Sequence, residues 1–284
     1  MSFNDKKAVL ITGCSSGIGL CAAKQLHQRG YQVFASVQQT KDISLVESHG
    51  IRCLHLDLND STSIQKALSQ LLQESGGTLY GLFNNGAYGQ PGAVEDLSRD
   101  TLRAQFETNL FGTHELTCHV IRVMRKQGYG RIIQNSSVLG FASLPFRGAY
   151  NASKHALEGL TDTLRMELDG SGLHVSLIEP GPIHSKFREN AYAAFKKNIK
   201  VEESHFQQYY LGVEKRLAQQ DKDGPFTLPE HAVVEKLLHA LESRRPKARY
   251  YVTFPTYLFG YLKRILSTRM LDRIMLAVSR DENR

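Results

Sequence analysis

Tyr150 and Lys154, four residues apart, are the pair in this sequence best suited to acid–base chemistry. On a helix, positions i and i+4 share one face, so the phenol and the ammonium would lie side by side. A free phenol has a pKa of about 10, which is too high for efficient proton transfer near neutral pH. A neighbouring cation is expected to lower that pKa. Such a spacing is also common by chance on exposed helices, so the pair alone does not decide a function.

Two further features favour a functional interpretation. Ser137 ends a predicted strand upstream of Tyr150, where the carboxyl end of that strand should meet a cofactor crevice. The first apolar strand runs into a glycine-rich loop, Thr12-Gly13-Cys14-Ser15-Ser16-Gly17-Ile18-Gly19. Glycines let the backbone approach a pyrophosphate, whose charge is favoured at the N-terminus of the next helix. An ordinary turn is the alternative, but the position after the first strand favours a nucleotide site.

The elements that must position these residues alternate along the chain. Apolar segments of strand length occupy 8–12, 32–37, 51–56, 79–84, 131–137 and 174–180, and helix-period segments occupy 17–29, 61–74, 98–126 and 150–168. The strand segments are continuously apolar, which indicates burial on both faces of a parallel sheet. Right-handed crossovers then give a doubly wound sheet. We predict an α/β fold, a Rossmann-like doubly wound parallel sheet with helices on both faces, in a single domain spanning 1–284.

Composition narrows the class of protein. The 284 residues, 41% hydrophobic and 22% charged, suit one large domain that needs no stabilising cross-links. The four cysteines form no CxxC pair, and none of the 11 histidines stands at ligand spacing from carboxylates or cysteines. We therefore predict no metal site and a reducing compartment. The N-terminus lacks the apolar region of an export signal, and no apolar run is long enough to span a membrane, which predicts a cytoplasmic protein.

The net charge of +7 is concentrated near the C-terminus. Residues 244–284 hold ten Lys or Arg and three Asp or Glu, whereas the rest of the chain holds 25 of each. Because the rest of the chain is neutral, we do not predict a nucleic-acid partner. Within 256–278 basic and apolar residues interleave, as in helices that lie in a membrane interface. The favoured alternative is that these helices pack on the body or on a partner subunit and expose a solvated basic face.

As a set, these features resemble the short-chain dehydrogenase/reductase family. The glycine-rich loop, Asn109, Ser137, the Tyr-x-x-x-Lys pair and Pro180-Gly181-Pro182 stand in the family's order. The resemblance is close over about 6–190. The stretches LITGCSSGIGL, YNASKHALEGL and SLIEPGPIHSKF look most like the 17-beta-hydroxysteroid and retinol dehydrogenase branch and its bacterial aldehyde-reducing relatives.

The resemblance implies a catalytic set of four residues. Tyr150 would give a proton to a carbonyl during reduction, or take one from an alcohol during oxidation. Lys154 would hold the nicotinamide ribose and tune Tyr150. Ser137 would hydrogen-bond the substrate oxygen, and Asn109 would hold a water in the proton relay.

The resemblance also implies a cofactor site, in which Asp57 would meet adenine and Ile183 the nicotinamide carboxamide. The full set is Gly13, Ser15, Ser16, Gly17, Ile18, Gly19, Gln38, Asp57, Leu58, Asn84, Gly86, Tyr150, Lys154, Pro180, Gly181, Ile183 and Ser185. One stretch departs from the family, since its Asn-Asn-Ala-Gly reads Asn84-Asn85-Gly86-Ala87 here. We expect a slight displacement of the backbone at Ala87 and no loss of the contact to the adenosine side.

The end of the second strand bears on the choice between NADP and NAD. It reads Ser36-Val37-Gln38-Gln39, with neither the acid of NAD-preferring relatives nor the arginine of NADP-preferring ones. No carboxylate would repel a 2′-phosphate, and Ser16, Ser36 and Gln38 are candidate donors, with Lys41 nearby. NADP is therefore predicted as the preferred cofactor over NAD.

The predicted function is hydride transfer between a nicotinamide cofactor and an apolar aldehyde, ketone or alcohol. Residues 186–228 are rich in Lys and Gln but also carry aromatic residues, which predicts a mobile substrate lid rather than a core element. The loop residues Phe141, Leu144, Pro145 and Phe146 either line an apolar substrate wall or pack their own loop. The alternatives are a sugar or acyl-chain carbonyl reductase, a catalytically silent nucleotide-sensing protein, and a membrane-tethered scaffold.

A homodimer or homotetramer is also predicted. The helices near 98–126 and 150–168 carry more apolar positions than one sheet face needs: Leu110, Leu116, Val120, Leu157, Leu160 and Leu164. In the family that the sequence resembles, these two helices form the common subunit interface.

Overall fold

A single sheet of seven parallel strands organises the chain. The computed structural model describes residues 7–218, 224 and 226–282. The strands are β1 Ala8–Ile11, β2 Gln32–Val37, β3 Arg52–His55, β4 Gly81–Asn84, β5 Gly130–Asn135, β6 Leu173–Glu179 and β7 Arg249–Tyr251. Their order is β3-β2-β1-β4-β5-β6-β7, so the winding reverses between β1 and β4. The predicted doubly wound fold is confirmed, and a crevice opens at the carboxyl ends of β1 and β4.

Eleven α-helices lie in the described residues. They are α1 Gly17–Gln28, α2 Ile43–Glu47, α3 Ser61–Glu74, α4 Arg99–Phe106, α5 Thr113–Gln127, α6 Gly148–Glu167, α7 Phe187–Asn198, α8 Gln207–Ala218, α9 His231–Glu242, α10 Phe254–Ile265 and α11 Thr268–Glu282. The helix predicted over 98–126 is α4 and α5 joined by a π-helical turn, Glu107–Gly112. Such turns widen a helix locally and are frequent at functional sites.

Each face of the sheet has its own core. Alternate residues of β1 point to opposite sides, so Val9 and Ile11 pack under α1 and α9, while Leu10 packs under α3 and α5. Leu116 and Val120 of α5 are fully buried in the second core. The sequence analysis assigned both residues to a subunit interface, because they exceed the apolar positions that one sheet face needs. That assignment is wrong for both, since they pack against the sheet. The exposed apolar side chains of this region are others, among them Phe111 and Leu160.

The region after β6 contains more regular secondary structure than the sequence predicts. Helices α7 and α8 share a buried cluster in which Phe195 and Tyr210 are inaccessible to solvent. The tail also folds: the apolar face of α11 packs with Phe259 of α10 against Leu139 and Leu144, as in the interpretation that places the tail on the body. Residues 219–223 and 225 of the predicted lid, and 283–284 of the tail, lie outside the described residues. Within the described ranges, no helix combines the length and apolarity that a membrane crossing requires.

Candidate active site

The glycine-rich loop between β1 and α1 is shaped by close backbone contacts. Gly13 and Gly17 have positive φ angles of 72° and 54°, which side-chain-bearing residues rarely adopt. A Cβ on Gly13 would lie 2.7 Å from the Gly86 Cα, and one on Gly19 would lie 2.2 Å from the Gly13 carbonyl oxygen. Ser16 directly precedes α1, so the loop leads into the N-terminus of that helix. The result is a backbone cradle of the kind that receives a pyrophosphate.

A polar network holds this loop against the end of β4. The Thr12 Oγ1 accepts hydrogen bonds from the backbone N–H groups of Asn85 (2.9 Å) and Gly86 (2.8 Å). The Asn85 Nδ2 donates to the Thr12 carbonyl oxygen at 2.9 Å, and the Asn135 Nδ2 donates to the Asn85 Oδ1 at 2.9 Å. Gly86, which stands where the family has alanine, is therefore hydrogen-bonded to the glycine-rich loop through Thr12.

The sequence prediction named Asn84 in the cofactor site and missed Asn85 and Asn135. The Asn84 side chain is buried and donates to the Thr117 Oγ1 of α5 at 2.8 Å, so it faces away from the loop. The amide that reaches the loop is that of Asn85. The available signal was an asparagine at the carboxyl end of each of two neighbouring apolar strands.

Three of the four predicted catalytic residues converge at the carboxyl end of β5. Ser137 lies two residues beyond the strand, where its Oγ caps a short 3₁₀ turn by accepting from the Leu139 N–H at 3.1 Å. The Tyr150 hydroxyl, in the first turn of α6, hydrogen-bonds the Ser137 side chain. One turn later, the Lys154 Nζ lies 5.8 Å from the centroid of the Tyr150 ring. It donates to the Asn135 carbonyl oxygen at 2.7 Å.

Burial dominates the acid–base properties of this group. It raises the pKa of Tyr150 to about 12, against a smaller lowering by the hydrogen bond from Ser137. It also lowers the pKa of Lys154 from 10.5 to about 8, with the charge of Glu158 acting in the opposite direction. The net shift of the Tyr150 pKa is therefore upward, because burial outweighs the effects that lower it. Tyr150 is protonated near neutral pH, which is the form that can donate a proton.

Asn109, the fourth predicted residue, lies in the π-helical turn and is buried. Its Nδ2 donates to the Tyr88 carbonyl oxygen at 2.9 Å and to the Ser153 Oγ at 3.2 Å. Its Oδ1 accepts from the Tyr88 N–H at 3.1 Å. These bonds join the stretch after β4 to α6 beside Lys154. The predicted water-holding role stays a prediction.

A partly buried ionic cluster lies one turn beyond Lys154 on α6. Arg249 of β7 pairs with Glu158 and, at 2.5 Å each, with Asp162 and Glu179. Glu179 is inaccessible to solvent, and its burial, together with the charge of Glu158, raises its pKa to about 8. The cluster ties the catalytic helix to β6 and β7. Sequence reasoning missed it because three separate elements supply its members.

The outer end of the nucleotide crevice is lined by Gln38 and Asp57. The Gln38 Nε2 donates to the Asp57 Oδ1 at 3.3 Å, at the adjacent ends of β2 and β3. Ser36 was a candidate donor to a 2′-phosphate, but it is 1% exposed within the sheet, so that expectation is wrong. Leu58 is buried next to Gly86, with its Cδ1 3.4 Å from a Cβ built there.

The segment after β6 closes the crevice from the other side. The Pro180 carbonyl oxygen accepts from the Val138 N–H at 2.8 Å, which holds this segment beside Ser137. A Cβ on Gly181 would lie 2.1 Å from the Thr253 Oγ1, so only glycine fits there. Ile183 pairs with Leu228 in a parallel bridge. The Ser185 Cβ is 3.1 Å from a Cβ built on Gly17, so this segment and the glycine-rich loop lie face to face.

Aromatic and aliphatic side chains pack around the Tyr150 ring. The Phe187 ring packs edge-on against the Tyr150 ring, with centroids 5.2 Å apart. Phe141 and Leu144 join Tyr150 in an apolar cluster with α10 and α11. Phe146 instead stacks on Tyr209 of α8 at 3.8 Å. Phe146 therefore packs against α8, whereas the substrate-wall interpretation of Phe141 and Leu144 stays a prediction.

Together, the backbone cradle, the crevice at the winding reversal and the proton donor beside it define a dinucleotide-dependent oxidoreductase site. The cradle fits a dinucleotide because the positions that would face its phosphates are glycines with no room for a Cβ.

Comparisons with known proteins agree with this class. The family model described as short chain dehydrogenase matches residues 7–195. The chain is 41% identical over 270 residues to the uncharacterized oxidoreductase YbbO of Escherichia coli K12, covering 95% of this chain and 94% of the relative. It is 32% identical over 263 residues to human 17-beta-hydroxysteroid dehydrogenase type 1, covering 87% and 78%. It is 30% identical over 273 residues to the NADPH-dependent 3-dehydrocapnine reductase of Ornithobacterium rhinotracheale, covering 93% and 94%. The chain belongs to the short-chain dehydrogenase family and is an oxidoreductase that uses NAD or NADP.

Proposed function

We propose that this enzyme transfers hydride between NADPH and an apolar aldehyde or ketone, with Tyr150 as the acid and base. The observation that carries the proposal is the hydrogen-bonded Ser137–Tyr150 pair, enclosed by the Phe187 ring and the apolar cluster of Phe141 and Leu144. A hydroxyl pair in apolar surroundings suits a substrate whose one polar atom is its carbonyl oxygen.

Each residue of the group has a distinct task. A nicotinamide dinucleotide bound in the crevice would supply or accept the hydride. Ser137 would hold the substrate oxygen by a hydrogen bond, and Tyr150 would donate its proton to that oxygen as negative charge develops. The raised pKa of Tyr150 keeps its phenol protonated near neutral pH, which is the form that donates a proton to a carbonyl oxygen. Lys154 would bind the nicotinamide ribose, and its lowered pKa places its titration within reach of physiological pH.

The preference for NADPH rests on the end of β2. Gln38 and Lys41 are exposed there, and no acid stands in the stretch Ser36–Gln39 to repel a 2′-phosphate. The name of one relative, an NADPH-dependent reductase, is in line with this preference.

The test of the catalytic role is Tyr150→Phe. We expect kcat to fall by about 10²–10⁴-fold, the usual contribution of a general acid, with the dissociation constant of NADPH unchanged. Tyr129→Phe removes an exposed phenol far from the crevice and is the matched control. If Tyr150→Phe kept more than about a tenth of the wild-type kcat, less than general acid catalysis supplies, another proton donor would have to be sought.

The test of the substrate class is a series of aldehydes and ketones of increasing chain length and ring count. We expect kcat/KM to rise along the series, because each buried methylene contributes about 0.8 kcal/mol. A flat series, with polyhydroxylated substrates turned over equally well, would instead favour a sugar carbonyl reductase. No turnover of any carbonyl would favour the silent nucleotide-sensing protein.

Two further expectations belong to this proposal. Residues 186–228 would form the substrate lid, with Phe187 as the contact nearest Tyr150. A homodimer or homotetramer would form through the exposed Phe111 and Leu160 on neighbouring helices. Light scattering after size exclusion that gave only the monomer mass of 31.9 kDa would contradict the assembly. The cytoplasmic location stays a prediction.

A further inference from the structure

Helix α10 has an apolar face that no described residue covers. Its inner face, which includes Thr256 and Phe259, packs on the body. Its outer face bears five large apolar or aromatic residues: Phe254 (58% exposed), Tyr257 (45%), Leu258 (39%), Tyr261 (65%) and Ile265 (75%). Phe226 extends this face, since its ring lies 5.1 Å from that of Phe254 and is itself exposed. So large a contiguous apolar patch marks an interaction surface.

A basic cleft lies beside this face. Its volume is about 260 Å³, and it is lined by Lys236, Lys247, Arg249, Tyr250, Tyr251, Tyr257 and Arg264. Arg249 is neutralised by the ionic cluster of Glu158, Asp162 and Glu179. Lys236, Lys247 and Arg264 are different, because no carboxylate among the described residues forms an ion pair with them.

The cleft and the apolar face form one surface. Tyr257 belongs to both, and its ring packs edge-on against Tyr251 at 5.4 Å. Tyr251 in turn lies against α10, with its ring 2.6 Å from a Cβ built on Gly260. Uncompensated cations therefore stand directly beside exposed aliphatic and aromatic side chains, an arrangement that matches headgroups above acyl chains.

We propose that α10 and the basic cleft bind the surface of an anionic lipid bilayer. The outer face of α10 would enter the boundary between headgroups and acyl chains, with its tyrosines at the level of the headgroups. Lys236, Lys247 and Arg264 would contact lipid phosphates. A second copy of the chain fits less well, because a two-fold interface would bring the same uncompensated cations together. This inference does not depend on the proposed reaction.

The test measures co-sedimentation of the full-length protein with phosphatidylcholine vesicles that contain or lack phosphatidylglycerol. We expect binding to the anionic vesicles only, and weaker binding as salt is raised. The double variant Lys247→Gln/Arg264→Gln should bind about 30-fold more weakly, as expected for two lost cations near the surface. Lys66→Gln/Lys126→Gln, which removes the same charge from exposed sites on α3 and α5, should stay within about threefold of wild type.

The contribution of the apolar face to vesicle binding is tested with the double variant Tyr261→Ser/Ile265→Ser, which should also bind more weakly. Leu45→Ser, which removes an exposed apolar side chain elsewhere, is the control. A thermal melt of each variant separates lost binding from lost folding. Equal binding to neutral and anionic vesicles, or an equal loss in the control pair, would overturn the proposal. Inorganic phosphate that raises the melting temperature without any vesicle binding would assign the cleft to a free anion instead. A dimer that Tyr261→Ser/Ile265→Ser dissociates would assign the face to a second copy.

Discussion

The two sides of the crevice are held together by different kinds of contact. On the nucleotide side, backbone atoms meet so closely that a single added carbon at Gly13 or Gly19 would clash. On the substrate side, side chains such as Phe187, Phe195 and Tyr210 pack through their rings. Backbone contacts fix a shape that one cofactor class requires, whereas side-chain packing can change residue by residue. Substitutions on the nucleotide side are therefore expected to disturb the backbone, whereas substitutions on the other side are expected to change only local side-chain packing.

Helix α6 joins the two sides. Tyr150 contacts Ser137 toward the sheet and Phe187 toward the substrate side, while Arg249 anchors the middle of the helix. We call α6 with its Arg249 anchor the joint, and the outer end of the nucleotide crevice at Gln38 the rim. Variants in the joint, on either side of the crevice and at the rim should therefore have separable effects on stability, cofactor binding and turnover.

The largest effect on stability is expected at the joint. Arg249→Leu leaves the buried carboxylates of Glu158 and Glu179 without a counter-charge, which typically costs about 3–5 kcal/mol of unfolding free energy. Arg103→Leu breaks an exposed pair with Asp100 and should change stability by less than about 0.5 kcal/mol. Urea unfolding of both variants makes the comparison, and equal losses would show that the cluster contributes no more than a surface pair.

The loss of unfolding free energy caused by Arg249→Leu should grow as the pH rises. The pKa of Glu179 is raised from 4.5 to about 8, so between these values the folded state holds a proton that the unfolded state has released. Its contribution to stability is full below pH 4.5 and declines as the pH rises toward 8. Without Arg249, which lowers the pKa of Glu179, the Glu179 carboxyl becomes still harder to ionise. The difference from wild type should be larger at about pH 8.5 than at about pH 5.5, and the reverse order would contradict the assignment.

On the nucleotide side, Gly19→Ala should overpack the cradle. Its new Cβ would meet the Gly13 carbonyl oxygen at 2.2 Å, which implies a shift of the loop costing about 1–3 kcal/mol. We expect the dissociation constant of the cofactor to rise at least about tenfold, measured by calorimetry. Gly159→Ala is the control, since its Cβ enters open space on α6 and should be neutral or stabilising. Unchanged cofactor affinity in Gly19→Ala would place the dinucleotide elsewhere.

On the substrate side, Phe187→Ala should weaken the use of substrate without changing the binding of cofactor. Removing the ring from Tyr150 forfeits an aromatic contact of about 0.5–1.5 kcal/mol together with part of its buried area. We expect kcat/KM for an apolar carbonyl to fall by about tenfold, while cofactor affinity is retained. Leu45→Ala is the exposed control. A parallel loss of cofactor affinity would mean that the two sides are not independent.

The smallest effect is expected at the rim. Gln38→Arg should shift the ratio of KM values toward NADPH by a few-fold, because a guanidinium pairs well with a phosphate. Gln38→Asp should shift it toward NADH. Val37→Asp is unsuitable, since Val37 is 1% exposed and the variant would bury a charge. Gln65→Arg adds the same charge on α3, away from the crevice. No shift in either Gln38 variant would move the adenosine ribose site away from β2.

The positions of the first six strands along the chain, the longer helices between them and the convergence of Ser137, Tyr150 and Lys154 were predictable from sequence, whereas the short helix α2 was not predicted. Strands buried on both faces leave uninterrupted apolar runs, and each helix between them carries its own period. The glycine-rich loop is equally local, because its conformation depends on a few neighbouring residues. Helices α7 and α8 were not recognised, because lysines and glutamines on their outer faces obscure the buried positions of Phe195 and Tyr210.

The tertiary structure alone decided which partners surround each charged group and which apolar side chains are buried. Arg249 lies 91 positions from Glu158 in the chain, and no local pattern links the two. The pKa of Tyr150 rises because separate elements of the fold bury its side chain. This effect of burial is larger than the lowering by the hydrogen bond with Ser137. Leu116 of α5 faces the core, whereas Phe111 of the preceding π-helical turn faces outward, because of how this helical segment is rotated against the sheet. Local sequence determined which elements form and which groups can react, whereas burial, a sum over distant contacts, determined their ionisation and their partners.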